Sequence, residues 1–117
     1  MTYESKPVPC GSYQVSFVHR DDVKLDGYWI TKMFFKIQKG ERTGEIITLD
    51  FNLTGKDRDE FRAYVCAIFR AVGQEIIQSA TQLLNKNFFL TVKEQNGKNL
   101  FSAAESVSEY YLRKAKI

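Results

Sequence analysis

Residues Tyr28-Trp29-Ile30-Thr31-Lys32-Met33-Phe34-Phe35-Lys36-Ile37-Gln38-Lys39 divide into two faces when read with a period of two. Trp29, Met33, Phe35 and Ile37 fall on one side, with Thr31 as the single polar member. Tyr28, Ile30, Lys32, Phe34, Lys36 and Gln38 fall on the other. A strand sends successive side chains to opposite faces, so the first set reads as core. The second set interleaves two aromatic rings with two lysines. Rings on which bases can stack, beside ammonium groups that track phosphates, are what single-stranded nucleic acid binding requires. A strand buried on both sides, or a protein-binding patch, accounts for the same pattern, because sheet surfaces also carry Tyr and Lys for cross-strand packing.

The flanking segments place this strand in a βββ-α-ββ order. Met1 to Pro9 is polar, holds both prolines and reads as an extended lead-in. Gly11 opens a strand from Ser12 to His19, with Tyr13, Val15 and Phe17 on one face and Gln14, Ser16 and Val18 on the other. Arg20 to Gly27 reads as a charged loop ending in an Asp26-Gly27 turn. After the Tyr28 to Gln38 strand, Lys39-Gly40-Glu41-Arg42-Thr43-Gly44 suits a hairpin connection to a third strand, Glu45 to Leu53. There Ile47, Leu49, Phe51 and Leu53 point one way, and Ile46, Thr48, Asp50 and Asn52 the other.

The period then changes. Phe61, Tyr64, Val65, Ile68, Phe69 and Val72 recur at three- and four-residue spacing and predict an amphipathic helix over Asp57 to Val72. Asp57 with Glu60 suits its N-terminus, and Gly73 suits the left-handed position that follows many helices. Gln74 to Asn85 reads as one or two short helical turns. Phe88 to Glu94 has strand composition, Asn96-Gly97 is a hairpin turn, and Leu100 to about Val107 is the last strand. Ser108 to Ile117 is a short helix or a basic tail.

The predicted class is mainly β with one main helix. Five strands with a helix between the third and fourth is the order of the OB-fold, a five-stranded barrel whose second and third strands bind oligonucleotides or oligosaccharides. The alternative is an open α+β sheet with one helix packed on it. The expected organisation is a lead-in over 1–9, one domain over 10–107 and a C-terminal segment over 108–117.

Composition narrows the function classes. The net charge of +3 permits an anionic partner without requiring one, so the argument rests on where charges sit. No apolar run approaches the roughly 20 residues of a membrane-spanning helix, and Met1 to Lys6 has no hydrophobic signal region. A cytosolic protein with reduced Cys10 and Cys66 and no membrane partner is therefore expected. His19 is the single histidine, sits in the polar run His19-Arg20-Asp21-Asp22, and reads as solvated. There is no Cys-x-x-Cys pair, no phosphate-cradling glycine loop and no convergent Ser/His/Asp spacing. No metal, cofactor or catalytic residue is expected, and the chain does not read as an enzyme.

Several ordered landmarks bear on family. Pro9-Cys10-Gly11-Ser12-Tyr13-Gln14-Val15, Gly27-Tyr28-Trp29-Ile30, Lys39-Gly40 followed by Gly44, Phe51-Asn52-Leu53, Ala67 to Gly73, and Leu83-Leu84-Asn85-Lys86 occur in that sequence. In order and spacing, over roughly Pro9 to Val107, they resemble a phage family known as domain of unknown function 669. Its members are commonly assigned as single-stranded-DNA-binding proteins of OB-fold type. Asn85 stands where that family tends to have Gly, and Asn tolerates the same left-handed geometry. The basic Arg113-Lys114-Ala115-Lys116 departs from the acidic, partner-recruiting tail of many replication-type single-strand binders.

The candidate binding residues are Tyr28 and Phe34 for base stacking and Lys32 and Lys36 for phosphates. Lys39 and Arg42 in the hairpin extend the groove, or form a solvated turn. Thr48 and Asn52 are candidates to hydrogen-bond base edges or sugars. Asp50 shares their face and either pairs with a lysine or argues against a nucleic-acid groove. Trp29, Phe35, Phe51, Phe61 and Phe69 read as core. The expected function is binding of single-stranded DNA, with RNA left open, at low sequence specificity in phage replication or recombination. The rival is a phage module that uses the same aromatic strand to inhibit a host nucleic-acid enzyme or defence complex.

Overall fold

The structure is a computed structural model that describes residues 6–52, 54 and 58–115. Its elements are β1 (Gly11–Leu25), β2 (Tyr28–Ile37), β3 (Ile46–Asn52), α1 (Arg58–Ala71), a 3-10 turn (Ala80–Leu83), β4 (Asn87–Gln95), β5 (Lys98–Glu105) and α2 (Val107–Ala115). The strands form one antiparallel sheet in the order β3-β2-β1-β4-β5. β1 is the hinge of this arrangement, pairing Gly11 to Ser16 with β4 and Val15 to Leu25 with β2.

The βββ-α-ββ order is as read, and the sheet is OB-like but not closed. The edge strands β3 and β5 approach each other, and α1 packs against both. An aromatic chain crosses the gap. Phe51 of β3 meets Phe61 of α1 edge-on at 6.2 Å between centroids, Phe61 meets Tyr64 at 6.1 Å, and Tyr64 stacks on Phe101 of β5 at 4.6 Å. The helix thus supplies the contact that a closing ladder would make. The core holds the fully buried Val15, Phe35, Ile37, Ile47, Ile68, Phe88 and Leu90, with Phe51 and Phe69 almost as deep.

Turn chemistry sets two of the hairpins. Asp26-Gly27 and Asn96-Gly97 have φ of 50° and 82°, and of 53° and 75°. Both pairs sit between directly paired strand residues, so each is a two-residue turn needing positive φ at both positions. Gly73 follows α1 in the left-handed region. There the Gln74 N–H donates to Phe69 O at 3.0 Å and the Gly73 N–H to Arg70 O at 2.9 Å, the paired bonds of a Schellman motif. Leu53 and the predicted capping residue Asp57 lie outside the described residues.

Two expectations are corrected. Arg20 to Leu25 is strand, not loop. The register shifts between Phe17 and His19, leaving Val18 as the extra residue, so the side-chain phase inverts there. The polar run beyond the bulge forms a two-stranded arm with β2, fixed by Arg20 to Asp22 at 3.0 Å and by the Thr31 hydroxyl donating to Asp22 at 2.9 Å. Trp29 is not core, since half of its surface is exposed. Trp29 keeps the inward phase and lies one residue beyond Ile30–Asn52, the last β2–β3 pair among the described residues. The lead-in is also anchored. Val8 is fully buried, its N–H donates to Asn99 Oδ1 at 2.9 Å, and Asn99 Nδ2 donates back to Val8 O at 2.9 Å.

Of the two readings of the C-terminal segment, the helix is found. Ser106 caps it, accepting from the Glu109 N–H at 3.0 Å while Glu109 accepts from the Ser106 N–H at 3.2 Å. α2 lies against the solvent side of β4, where Tyr110 stacks on Phe89 at 3.6 Å between centroids and 8° between planes.

Candidate nucleic-acid interface

Cross-strand partners share a face, so the register defines the outer surface row by row. Asp21, Lys32 and Asp50 form one row, His19, Phe34 and Thr48 the next, and Ser16, Lys36 and Ile46 the third. On the other half of the sheet the rows are Ser16 with Asn87, Gln14 with Phe89, and Ser12 with Thr91. Opposite these rows, Val15, Phe35 and Ile37 are fully buried and Met33 is 3% exposed, so the phase assigned to the middle of β2 holds.

The predicted residues occupy three places. Tyr28 stands at the arm end of β2, half exposed, and Asn52 is close to that end on β3. The Asn52 Oδ1 is engaged locally, accepting from the Thr54 N–H at 3.0 Å and the Thr54 hydroxyl at 3.2 Å. Lys32, Phe34, Lys36 and Thr48 form a contiguous central patch. Lys39 and Arg42 lie in the β2–β3 hairpin at the opposite end.

Phe34 does not offer a bare ring. It sits on the outer face, as its phase requires, but is only 6% exposed. His19 packs beside it at 5.6 Å between ring centroids, and Thr48 pairs with it from β3. The Thr48 hydroxyl is itself buried and has no hydrogen-bond partner among the described residues. His19 is held by Asp21 at 2.8 Å.

Charge on this surface is partly neutralised. Lys32 Nζ lies 3.3 Å from Asp50 Oδ1, and Arg42 Nη1 donates to Glu45 Oε1 at 3.1 Å. Asp50 therefore takes the paired of its two readings. Lys36 and Lys39 are exposed, and among the described residues neither has a carboxylate within ion-pair distance. Hydrogen bonding by the Arg20 guanidinium holds the Asp22 carboxyl below the usual range, with the Thr31 hydroxyl acting in the same direction against partial burial.

Four residues that the sequence reading did not single out join this surface. Gln14 and Phe89 pair across β1 and β4, and Tyr110 and Tyr111 descend on them from α2. Together with the hairpin residues Lys39 to Arg42 they enclose an open cavity of about 440 Å³. The outward phase of Gln14 was legible, but the β1–β4 register and the docking of α2 were not. Among the described residues no group of three or more His, Cys, Asp or Glu side chains converges on a metal-sized site. Cys10 and Cys66 are free thiols, and no described helix is long and apolar enough to cross a membrane. No family model and no curated protein matches this chain.

Proposed function

We propose that this chain binds single-stranded nucleic acid, DNA in the first instance, through the outer face of β1, β2 and β3 and the hairpin beyond it. The observation that carries this reading is the placement of two exposed lysines, Lys36 and Lys39, without a carboxylate partner among the described residues, between exposed rings at either end of the face. Tyr28 stands at one end and Tyr111 at the other, each half exposed. From Tyr28 to Lys36 the strand covers about 26 Å at roughly 3.3 Å per residue. The lysines would hold the backbone by neutralising phosphates and releasing counterions, and the end rings would stack on bases. Neither contact reads sequence, so low specificity follows. The role suggested by the resemblance, protection or presentation of strands in phage replication or recombination in a host cytosol, fits such a surface.

A protein-docking face is the competing use of an aromatic strand. Protein interfaces deplete lysine at their centres, whereas Lys32 and Lys36 flank the middle of this patch, which favours the nucleic-acid reading. The test is fluorescence anisotropy of a labelled oligo-dT of roughly 15 nucleotides, within the range single OB folds occupy. Affinity should fall steeply with salt, and unlabelled duplex should compete poorly. No binding at low salt, with tight capture of one host protein, would replace this reading with the protein-binding one.

A further inference from the structure

We propose that the cavity between the β2–β3 hairpin and α2 binds one nucleoside monophosphate unit, by its base edge, its ring and its phosphate. The site stands on its own geometry. It shares Lys39 and Tyr111 with the reading above and rests on it in supposing that the unit belongs to a strand.

The base edge is the best supported part. Gln14 lines the cavity, is 7% exposed, and has an Oε1 shielded from solvent with no hydrogen-bond partner among the described residues. An unpaired buried acceptor is costly, and a leucine of similar length would fill this position without that cost. The terminal torsion of Gln is soft, so the carboxamide can turn toward the cavity. There it presents an acceptor beside two donors. Every nucleobase carries an edge with an adjacent donor and acceptor, which a carboxamide complements.

The ring and phosphate have matching surfaces. Tyr111 is half exposed and stands edge-on to Phe89 at 5.7 Å and to Tyr110 at 5.4 Å, which fixes its plane at the cavity wall. A base that enters can stack on it. At the rim Lys39 and Arg42 face Glu41. Arg42 is held by Glu45, and Lys39 has no carboxylate partner among the described residues. That balance suits a single phosphate group and disfavours a triphosphate. The volume of about 440 Å³ lies in the range that small-molecule sites occupy.

The test uses the full chain, deoxyadenosine monophosphate and labelled oligo-dA, with Gln14→Leu and Tyr111→Ala as variants. Gln14→Leu should weaken binding roughly fivefold, the worth of one buried hydrogen bond, while the salt slope stays unchanged. Its melting temperature should equal or exceed that of the native chain. Should Gln14→Leu fail to fold, the half-exposed Tyr111→Ala decides, with a loss of about fivefold or more. Loss of both probes' binding in the variants supports a pocket open to free nucleotide and strand alike. Loss of oligo-dA affinity alone supports a strand subsite. Native affinity of both variants for oligo-dA, with salt-dependent binding retained, sinks the pocket and the stacking role of Tyr111, and leaves the lysine-tracked sheet face intact. Variant-sensitive binding of the mononucleotide with no strand binding does the reverse. Failure of the native chain to bind either probe sinks both.

Discussion

Replacing Asp50 with Asn should tighten single-strand binding, which is the opposite of what removal of an interface residue usually does. The reason lies in the Lys32–Asp50 pair, 3.3 Å apart with both side chains one-third exposed. Exposed pairs of this kind are worth about 0.2–1 kcal/mol, so a phosphate must compete with Asp50 for Lys32. Asp50→Asn removes the competitor and a charge that repels the strand. Each single-strand phosphate contact contributes about 0.7 to the slope of log affinity against log salt. Asp50→Asn should therefore steepen the slope by about 0.7, and Lys36→Gln should flatten it by about 0.7, because Lys36 is exposed and has no carboxylate partner among the described residues. Over a fourfold change in salt, one such contact alters affinity by about 2.6-fold, which anisotropy titrations resolve. Lys32→Gln should do less than Lys36→Gln in the native chain, and as much in the Asp50→Asn background. If Lys36→Gln leaves affinity and slope unchanged and Asp50→Asn does not tighten binding, this face does not track the phosphate backbone.

Phe34→Ala should destabilise the fold by about 2–3 kcal/mol in urea titration, the transfer cost of an aromatic side chain at a site that water can refill; a near-neutral result would mean that His19 and Thr48 do not pack on it. Ile68→Ala should cost about 2–5 kcal/mol, as for a fully buried aliphatic side chain, and a loss below 1 kcal/mol would mean that α1 does not cover the core. For Asp22 the folded pKa lies below the unfolded one, so its stabilising contribution is present above the unfolded value and is lost as pH falls below about 4. Asp22→Asn should accordingly flatten the acid limb of a plot of melting temperature against pH, and an unchanged limb would exclude the arm's Arg20–Asp22–Thr31 contacts as its source.

What could be read from the chain followed the range of the interactions involved. Asp26-Gly27 and Asn96-Gly97 demand their turns locally, and the Phe61 to Val72 stripe needs only one period to declare a buried helix face. The face of each side chain in β2 was legible for the same reason. Exposure was not, because it belongs to neighbours that only the register supplies. Phe34 has the outward phase of a stacking ring, yet His19 from beyond the Val18 bulge and Thr48 from β3 close over it. Trp29 has the inward phase of a core residue, yet half of its surface is exposed. One extra residue in β1 thus sets which side chain, His19, lies opposite the ring expected to be exposed.

These displacements change how the proposed surface would work. With Phe34 recessed, the centre of the face offers a strand charge and little aromatic area. The exposed rings stand at its ends, Tyr28 on the arm and Tyr111 on α2. A strand lying along β2 would then be held by its phosphates in the middle and by its bases at the two extremities. The end beside α2 has the cavity and the Gln14 Oε1, which has no partner among the described residues, whereas at the arm end the Asn52 Oδ1 is already satisfied by Thr54. The two ends are chemically unequal. A strand has polarity, so unequal ends give it a preferred direction even where the bases between them go unread.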